Sequence, residues 1–311
     1  VVHSASPVRL PGADGAVVGG ILLNRNLDFI DSINALVYLN AVTGGDRQGT
    51  ATLFLEDVRV STNVRLFEDV RALGDRLATE AFANLDCRVI NPERLPGSGA
   101  QIVIMNHIAC PEHYQLPNGY HFSFDTAFVS SLVWQQKGKS AVRVVRESPG
   151  AEFAHNIFYR RLAPITVPTV ESGIDVEDAE AFAARRREAG MRFGQLGKQA
   201  LSSGVSLLMC PEGRSQEEAQ SPGHFHSGAF RLAADTGYPI VPVAIAGFGR
   251  RFKDGPLVAV VGEPLRVEPG NAEDPAALRT WIEDFQRQFM RHIVEARSIA
   301  AEPPRFPPLN R

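Results

Sequence analysis

The stretch Gln101-Ile-Val-Ile-Met-Asn-His107 decides how this chain is read. Its apolar run is short and rich in β-branched side chains, which favours a buried strand over a helix. The strand delivers an asparagine and a histidine at its C-terminal end. In an open α/β sheet that end is where ligands bind, and an imidazole titrates close enough to neutral pH to act as a general base. A lone histidine there is more often a capping or core residue, so His107 needs companions.

It has them. Val205-Ser-Leu-Leu-Met-Cys210 is a second buried-strand run and discharges into Pro211-Glu212-Gly213-Arg214-Ser215. A helical segment from Gly228 to Thr236 follows, then a third run, Pro239-Ile-Val-Pro-Val-Ala-Ile245. Strands that end in polar turns and are separated by helices describe a parallel sheet with one shared active edge.

Taken in order, Asn106-His107, Pro-Glu-Gly followed by Arg-Ser, Ser227-Gly-Ala-Phe-Arg-Leu-Ala233 and Pro239 to Val243 resemble the PlsC-like glycerolipid acyltransferase family. These are the lysophosphatidate and glycerol-3-phosphate acyltransferases. Each motif is weak alone; four in order are fairly specific. Val258 to Leu265, with its Gly262-Glu263-Pro264 turn, is similar to the family's late strand, and Leu85 to Pro96 to the strand that leads into the domain. The resemblance covers residues 85–298. It implies an α/β fold, a mixed and largely parallel sheet flanked by helices, here with a small N-terminal α/β extension over residues 1–84 and a Pro-rich tail over 299–311.

The resemblance also implies a reaction. A fatty acyl group passes from an acyl-CoA or acyl carrier protein (acyl-ACP) thioester to an acceptor hydroxyl, on a lipid or a small molecule such as a glycerol phosphate. No metal or organic cofactor is needed beyond the donor. Acyl transfer requires a base near the acceptor, a partner that orients the base, and donors for the tetrahedral oxyanion. In the family the base is the His of N-H-x-x-x-x-D, and the Asp holds its other ring nitrogen. His107 takes the first role.

The spacing departs from the family at the second role. Glu112 stands five residues after His107, whereas Asp125 stands eighteen after it. Glu112 has the family spacing but follows Pro111 in a turn-rich segment that ends at Gly119. Asp125 has the family context, since Phe124-Asp-Thr-Ala-Phe128 opens an apolar helix. Asp125 is preferred, with residues 109–122 read as an inserted loop, and Glu112 stays the alternative. His121, four residues before Asp125, lacks a preceding strand and is the weakest base.

The Pro-Glu-Gly loop lacks the family's Thr and is one residue shorter. By resemblance Glu212, Gly213, Arg214 and Ser215 line the acceptor site, and a guanidinium suits a phosphate because its fork makes two parallel charge-assisted bonds. A salt bridge from Arg214 to Glu217 or Glu218 is the ordinary alternative. Arg160 and Arg161 stand where the family has another phosphate-binding arginine. These departures keep two other functions open: a non-catalytic lipid- or acyl-carrier-binding module, and a metal-dependent hydrolase built on His107, Glu112, His113, His121 and Asp125. The metal reading lacks a pair of histidines four apart on one helix face, and His224 with His226 in a Pro-Gly loop adds little to it. Cys210 closes an apolar strand and reads as core.

Composition bounds the rest. A net charge of -3 argues against nucleic acid as a partner. Three scattered cysteines make no disulfide framework, which points to a reducing, cytoplasmic compartment, with peripheral membrane association left open. No run approaches the eighteen or so apolar residues of a membrane span. Many relatives carry N-terminal membrane helices, and Val1 in place of a methionine leaves room for a lost segment.

Residues 1–20 read as an extended or poorly ordered lead-in, 26–42 as an amphipathic helix, 50–60 as a strand and 64–85 as a helix. Helices are expected from Phe124, over 176–201 and over 281–299, and strands over 141–145 and around 158–168. Arg185-Arg-Arg187 reads as a solvated face, with a contact to an anionic membrane or an acyl carrier protein as the alternative.

Overall fold

The computed structural model describes residues 70–95, 97–116, 121–147, 159, 162–168 and 179–305, and the backbone of six short strands between residues 2 and 62. The chain divides into two compact units, Val1–Asp69 and Val70–Arg311.

Among the described residues, the first unit contains three antiparallel pairs. β1 (Val2–Leu10) pairs with β2 (Ala13–Ile21), β3 (Val42–Thr43) with β4 (Asp46–Arg47), and β5 (Thr52–Leu55) with β6 (Val58–Thr62). The lead-in is thus extended and paired. The alternating stretch read as one strand over 50–60 is two strands. The helix expected over 26–42 lies outside the described residues, except that Val42 opens β3.

The second unit begins at α1 (Val70–Phe82), a helix that the sequence reading assigned to the extension. After β7 (Cys87–Ile90) and β8 (Ile102–Met105) come α2 (Phe124–Lys137), β9 (Val142–Arg146) and β10 (Ile165–Val167). Next are α3 (Ala179–Ser202), β11 (Leu207–Met209), α4 (Gly228–Thr236) and β12 (Ile240–Ala246). The unit closes with β13 (Leu257–Val261), a short α5 (Gly270–Glu273) and α6 (Pro275–Ala300), whose start is capped by Asp274 accepting from the Ala276 and Ala277 N–H groups.

Seven strands form one sheet in the order β10-β9-β11-β8-β12-β13-β7. The first five are mutually parallel; β13 runs antiparallel to β12, and β7 is parallel to β13. The sheet is therefore mixed and largely parallel, as expected. β8 sits at its centre and is fully buried, because helices cover both faces. Alternation along β8 divides the core. Ile102 and Ile104 pack with Phe193 and Leu201 of α3, Phe230 of α4 and Phe285 and Phe289 of α6, while Val103 and Met105 pack with Phe82 of α1 and Phe128, Val129 and Val133 of α2. Burying each such aliphatic side chain contributes about 1.5–3 kcal/mol. The three-layer arrangement leaves the C-terminal ends of β8 and β11, adjacent and parallel, at one edge.

Candidate active site

His107 follows β8 by two residues. The segment after it is held by strand-like pairing with the loop that follows β11: the Gln216 N–H donates to the His107 carbonyl at 2.9 Å, and the Ala109 N–H to the Gln216 carbonyl at 2.7 Å. Asn106 is 1% exposed and bonds both ways to the Ile245 backbone, at 2.8 and 3.1 Å, while its amide donates to Ser221 Oγ at 3.0 Å. The asparagine of the motif is thus a brace between β8, β12 and the β11–α4 loop.

Asp125 lies in the first turn of α2 and is 2% exposed. Its Oδ2 lies 2.6 Å from His107 Nδ1 and accepts the Ile108 N–H at 2.9 Å; its Oδ1 accepts the Thr126 N–H at 2.7 Å. A carboxylate can only accept, so Nδ1 carries the ring proton and Nε2 offers its lone pair. Of the two carboxylates weighed as partner, Asp125 is the one bonded to the imidazole. Glu112 is exposed on a 3-10 turn, Glu112–Tyr114, and does not line the cleft at His107. The longer segment between them is anchored by Tyr114, whose ring packs against Phe124 and Phe252 and whose Oη accepts the Phe252 N–H at 2.9 Å.

Glu212 lines the cleft, as expected of an acceptor-site residue, and both its carboxylate oxygens are bonded to backbone. It is 4% exposed, and its Oε1 accepts the His107 N–H at 2.8 Å while Oε2 accepts the Gly223 N–H at 2.5 Å. Burial pushes its pKa up, against the lowering by these two bonds and by His107. Its carboxylate therefore positions the backbone of the base. Gly213 turns the chain at φ +72°, a conformation that strains any other residue, and a Cβ there would come within 3.1 Å of the His226 ring, which would have to give by a few tenths of an ångström. Arg214 and Ser215 are exposed and line the cleft. Arg214 has no ion pair among the described residues, with Glu217 or with Glu218, and Glu218 instead accepts the Gly247 and Gly249 N–H groups at 2.5 and 2.6 Å. Arg160 and Arg161 lie outside the described residues.

The cleft has a volume of about 1070 Å³. Arg143, Arg146, Arg186, Arg214 and Arg231 line it, and Glu212 is the one carboxylate among its described lining residues. Arg143 is paired with the buried Asp75 of α1 at 3.3 Å. A basic cleft in a chain of net charge -3 is a local feature and favours an anionic ligand. None of the three cysteines fits a nucleophile: burial, and then Asp86, push Cys87 up to about 12, and burial also raises Cys110 and Cys210. Among the described residues, no three His, Cys, Asp or Glu side chains converge as metal ligands, and no helix is long and apolar enough to cross a membrane.

Sequence reasoning missed Ser221, Gly223 and Gln216. All three act through the loop after β11, and only the loop's return to β8, a long-range pairing, gives them a role.

A family model described as Acyltransferase matches residues 86–246, more than half of the chain. The chain belongs to the acyltransferase family. The matched region holds β8, α2, β11 and β12, and so every residue of the His107, Asp125 and Glu212 arrangement. A second model, described as single cache domain 3, matches residues 21–88, a span that includes α1. No curated protein matches the chain. Among solved structures, the 1-acyl-sn-glycerophosphate (LPA) acyltransferase PlsC from Thermotoga maritima is similar at 17% identity, over 75% of this chain and 81% of that one, with a TM-score of 0.42.

Proposed function

We propose that this acyltransferase moves a fatty acyl group from an acyl-CoA or acyl-ACP thioester to a hydroxyl on a phosphorylated acceptor of the glycerol phosphate or lysophospholipid class, with His107 as general base. The observation that carries the proposal is the 2.6 Å pairing of His107 Nδ1 with buried Asp125 at the edge of a basic cleft. Nε2 takes the proton of the acceptor hydroxyl as its oxygen bonds to the thioester carbon. The tetrahedral intermediate then expels the thiolate, which takes the proton back from the imidazolium. Asp125 keeps the tautomer and stabilises the imidazolium while the proton is held. The arginine-rich lining supports an anionic acceptor, with Arg214 as its phosphate contact.

Thiol release from acyl-CoA and acyl-ACP, measured across a panel of phosphorylated and unphosphorylated hydroxyl and amine acceptors, tests this reading. Stoichiometric ester formation on a phosphorylated alcohol is the expected result. A chain that binds acyl thioester yet releases no thiol with any acceptor would be the carrier-binding module instead.

A further inference from the structure

The cleft wall beyond Gly213 carries a second cluster that the chemistry above does not use. His224 and His226 flank Phe225, whose ring is 1% exposed and packs with Phe230, Phe285 and Phe289. Turning Phe225 into the core leaves both imidazoles lining the cleft, with ring centroids 5.8 Å apart. The His226 ring lies against Gly213, one residue from Arg214.

The surroundings are one-sided in charge. Arg186 of α3, Arg231 in the first turn of α4 and Arg214 of the loop line the same cleft, with His107 after β8 and Arg143 and Arg146 of β9 further along it. The one described carboxylate in the lining, Glu212, already spends both oxygens on backbone N–H groups. Burial lowers the His226 pKa first, then the charges of His224 and Arg186, and no described carboxylate offsets them. An anion would.

We propose that His224 and His226, with Arg186 beside them, form a second anion subsite that takes a phosphate monoester, separate from the contact assigned to Arg214. A phosphate offers acceptor oxygens to two imidazole N–H donors and a guanidinium. The first turn of α4 adds partial positive charge; the side chains supply the full charges. Unlike an all-arginine site, this one binds its anion less tightly as pH rises, and by linkage a bound anion raises the lowered His226 pKa. Which phosphate fills it rests on the acyl-transfer reading, because a CoA donor and a glycerol phosphate acceptor each carry a phosphate monoester. Its existence does not.

The test is histidine-selective 15N NMR of the full chain, with chelator present, titrating inorganic sulfate, whose charge is constant between pH 5.5 and 8. Sulfate is expected to move the His224 and His226 resonances and to raise the lowered His226 pKa, and its affinity to fall by about tenfold per pH unit for each proton taken up. His224→Gln and His226→Gln should each weaken it. Displacement of sulfate by unacylated CoA identifies the donor's phosphate, and displacement by glycerol phosphate the acceptor's. Failure of both overturns the assignment to a phosphate monoester. Imidazoles that titrate identically with and without sulfate, or a double variant that binds it with unchanged pH dependence, would overturn the subsite itself, whether or not the enzyme transfers acyl groups.

Discussion

One oxygen of Asp125, Oδ2, lies 2.6 Å from His107 Nδ1 and accepts the Ile108 N–H at 2.9 Å, so a single buried atom holds both the ring and the backbone of the candidate base. An amide at 125 offers one acceptor atom where the carboxylate offers two. Asp125→Asn is therefore expected to lower turnover by about 10³- to 10⁴-fold, the scale of losing the orienting aspartate of a catalytic triad. Stability should fall too, by about 1–3 kcal/mol, since a backbone N–H loses its partner. Thiol release and thermal melting, measured together, separate the two effects. Glu112→Gln should stay within about 0.5 kcal/mol and keep its turnover, because that side chain is exposed.

Glu212 invites a second substitution. Its two oxygens accept N–H groups from His107 and Gly223, so Glu212→Gln must turn an NH2 toward one of these donors. Turnover is expected to fall with little change in acceptor KM, a split that steady-state kinetics reads directly. A rise in acceptor KM with unchanged kcat would instead give Glu212 a direct contact with the acceptor. The sign of its pH linkage is also fixed. Its folded pKa is raised, so its titration contributes stability that is complete below the ordinary glutamate pKa and is lost as pH rises through the folded value. Removing the charge should flatten that part of the stability–pH curve, followed by denaturant midpoints across acidic pH.

Arg214→Ala should raise KM for a phosphorylated acceptor by about 10- to 100-fold, the effect of losing a charge-assisted contact of about 1.5–3 kcal/mol. Donor KM should move little. Equal losses on phosphorylated and unphosphorylated acceptors would assign the arginine a structural role.

Asp75→Ala probes the buried ion pair between α1 and β9. Arg143 would be left with its partner removed in a side chain 10% exposed, a change that costs about 3–5 kcal/mol. Urea midpoints measure it. A loss below 1 kcal/mol would mean that water or a neighbour takes over the guanidinium.

The sequence made the strands of the active edge legible because β8, β11 and β12 are buried on both faces and read as unbroken apolar runs. It did not disclose the reversed direction of β13, since Leu257–Val261 carries the same pattern whichever way it runs. The alternation over 50–60 concealed two strands; the polar pair Glu56-Asp57 between Leu55 and Val58 is the available sign of a break. At the site, the choice of Asp125 over Glu112 followed from the local context of a helix start. The task of Glu212 did not, because a side chain's partners across 105 positions are set by the pairing of the β11 loop with β8 and leave no local pattern.

In the proposed reaction His107 takes the acceptor's proton during acyl transfer. Its most direct test is thiol release and ester yield for His107→Ala beside the wild-type chain, at saturating acyl donor and acceptor, with thermal melting as the control for folding. The wild type is expected to release one thiol per ester formed, and the variant to melt as a folded protein with turnover lowered by at least about 10²-fold. Near wild-type turnover in that folded variant would contradict the role of His107 as base.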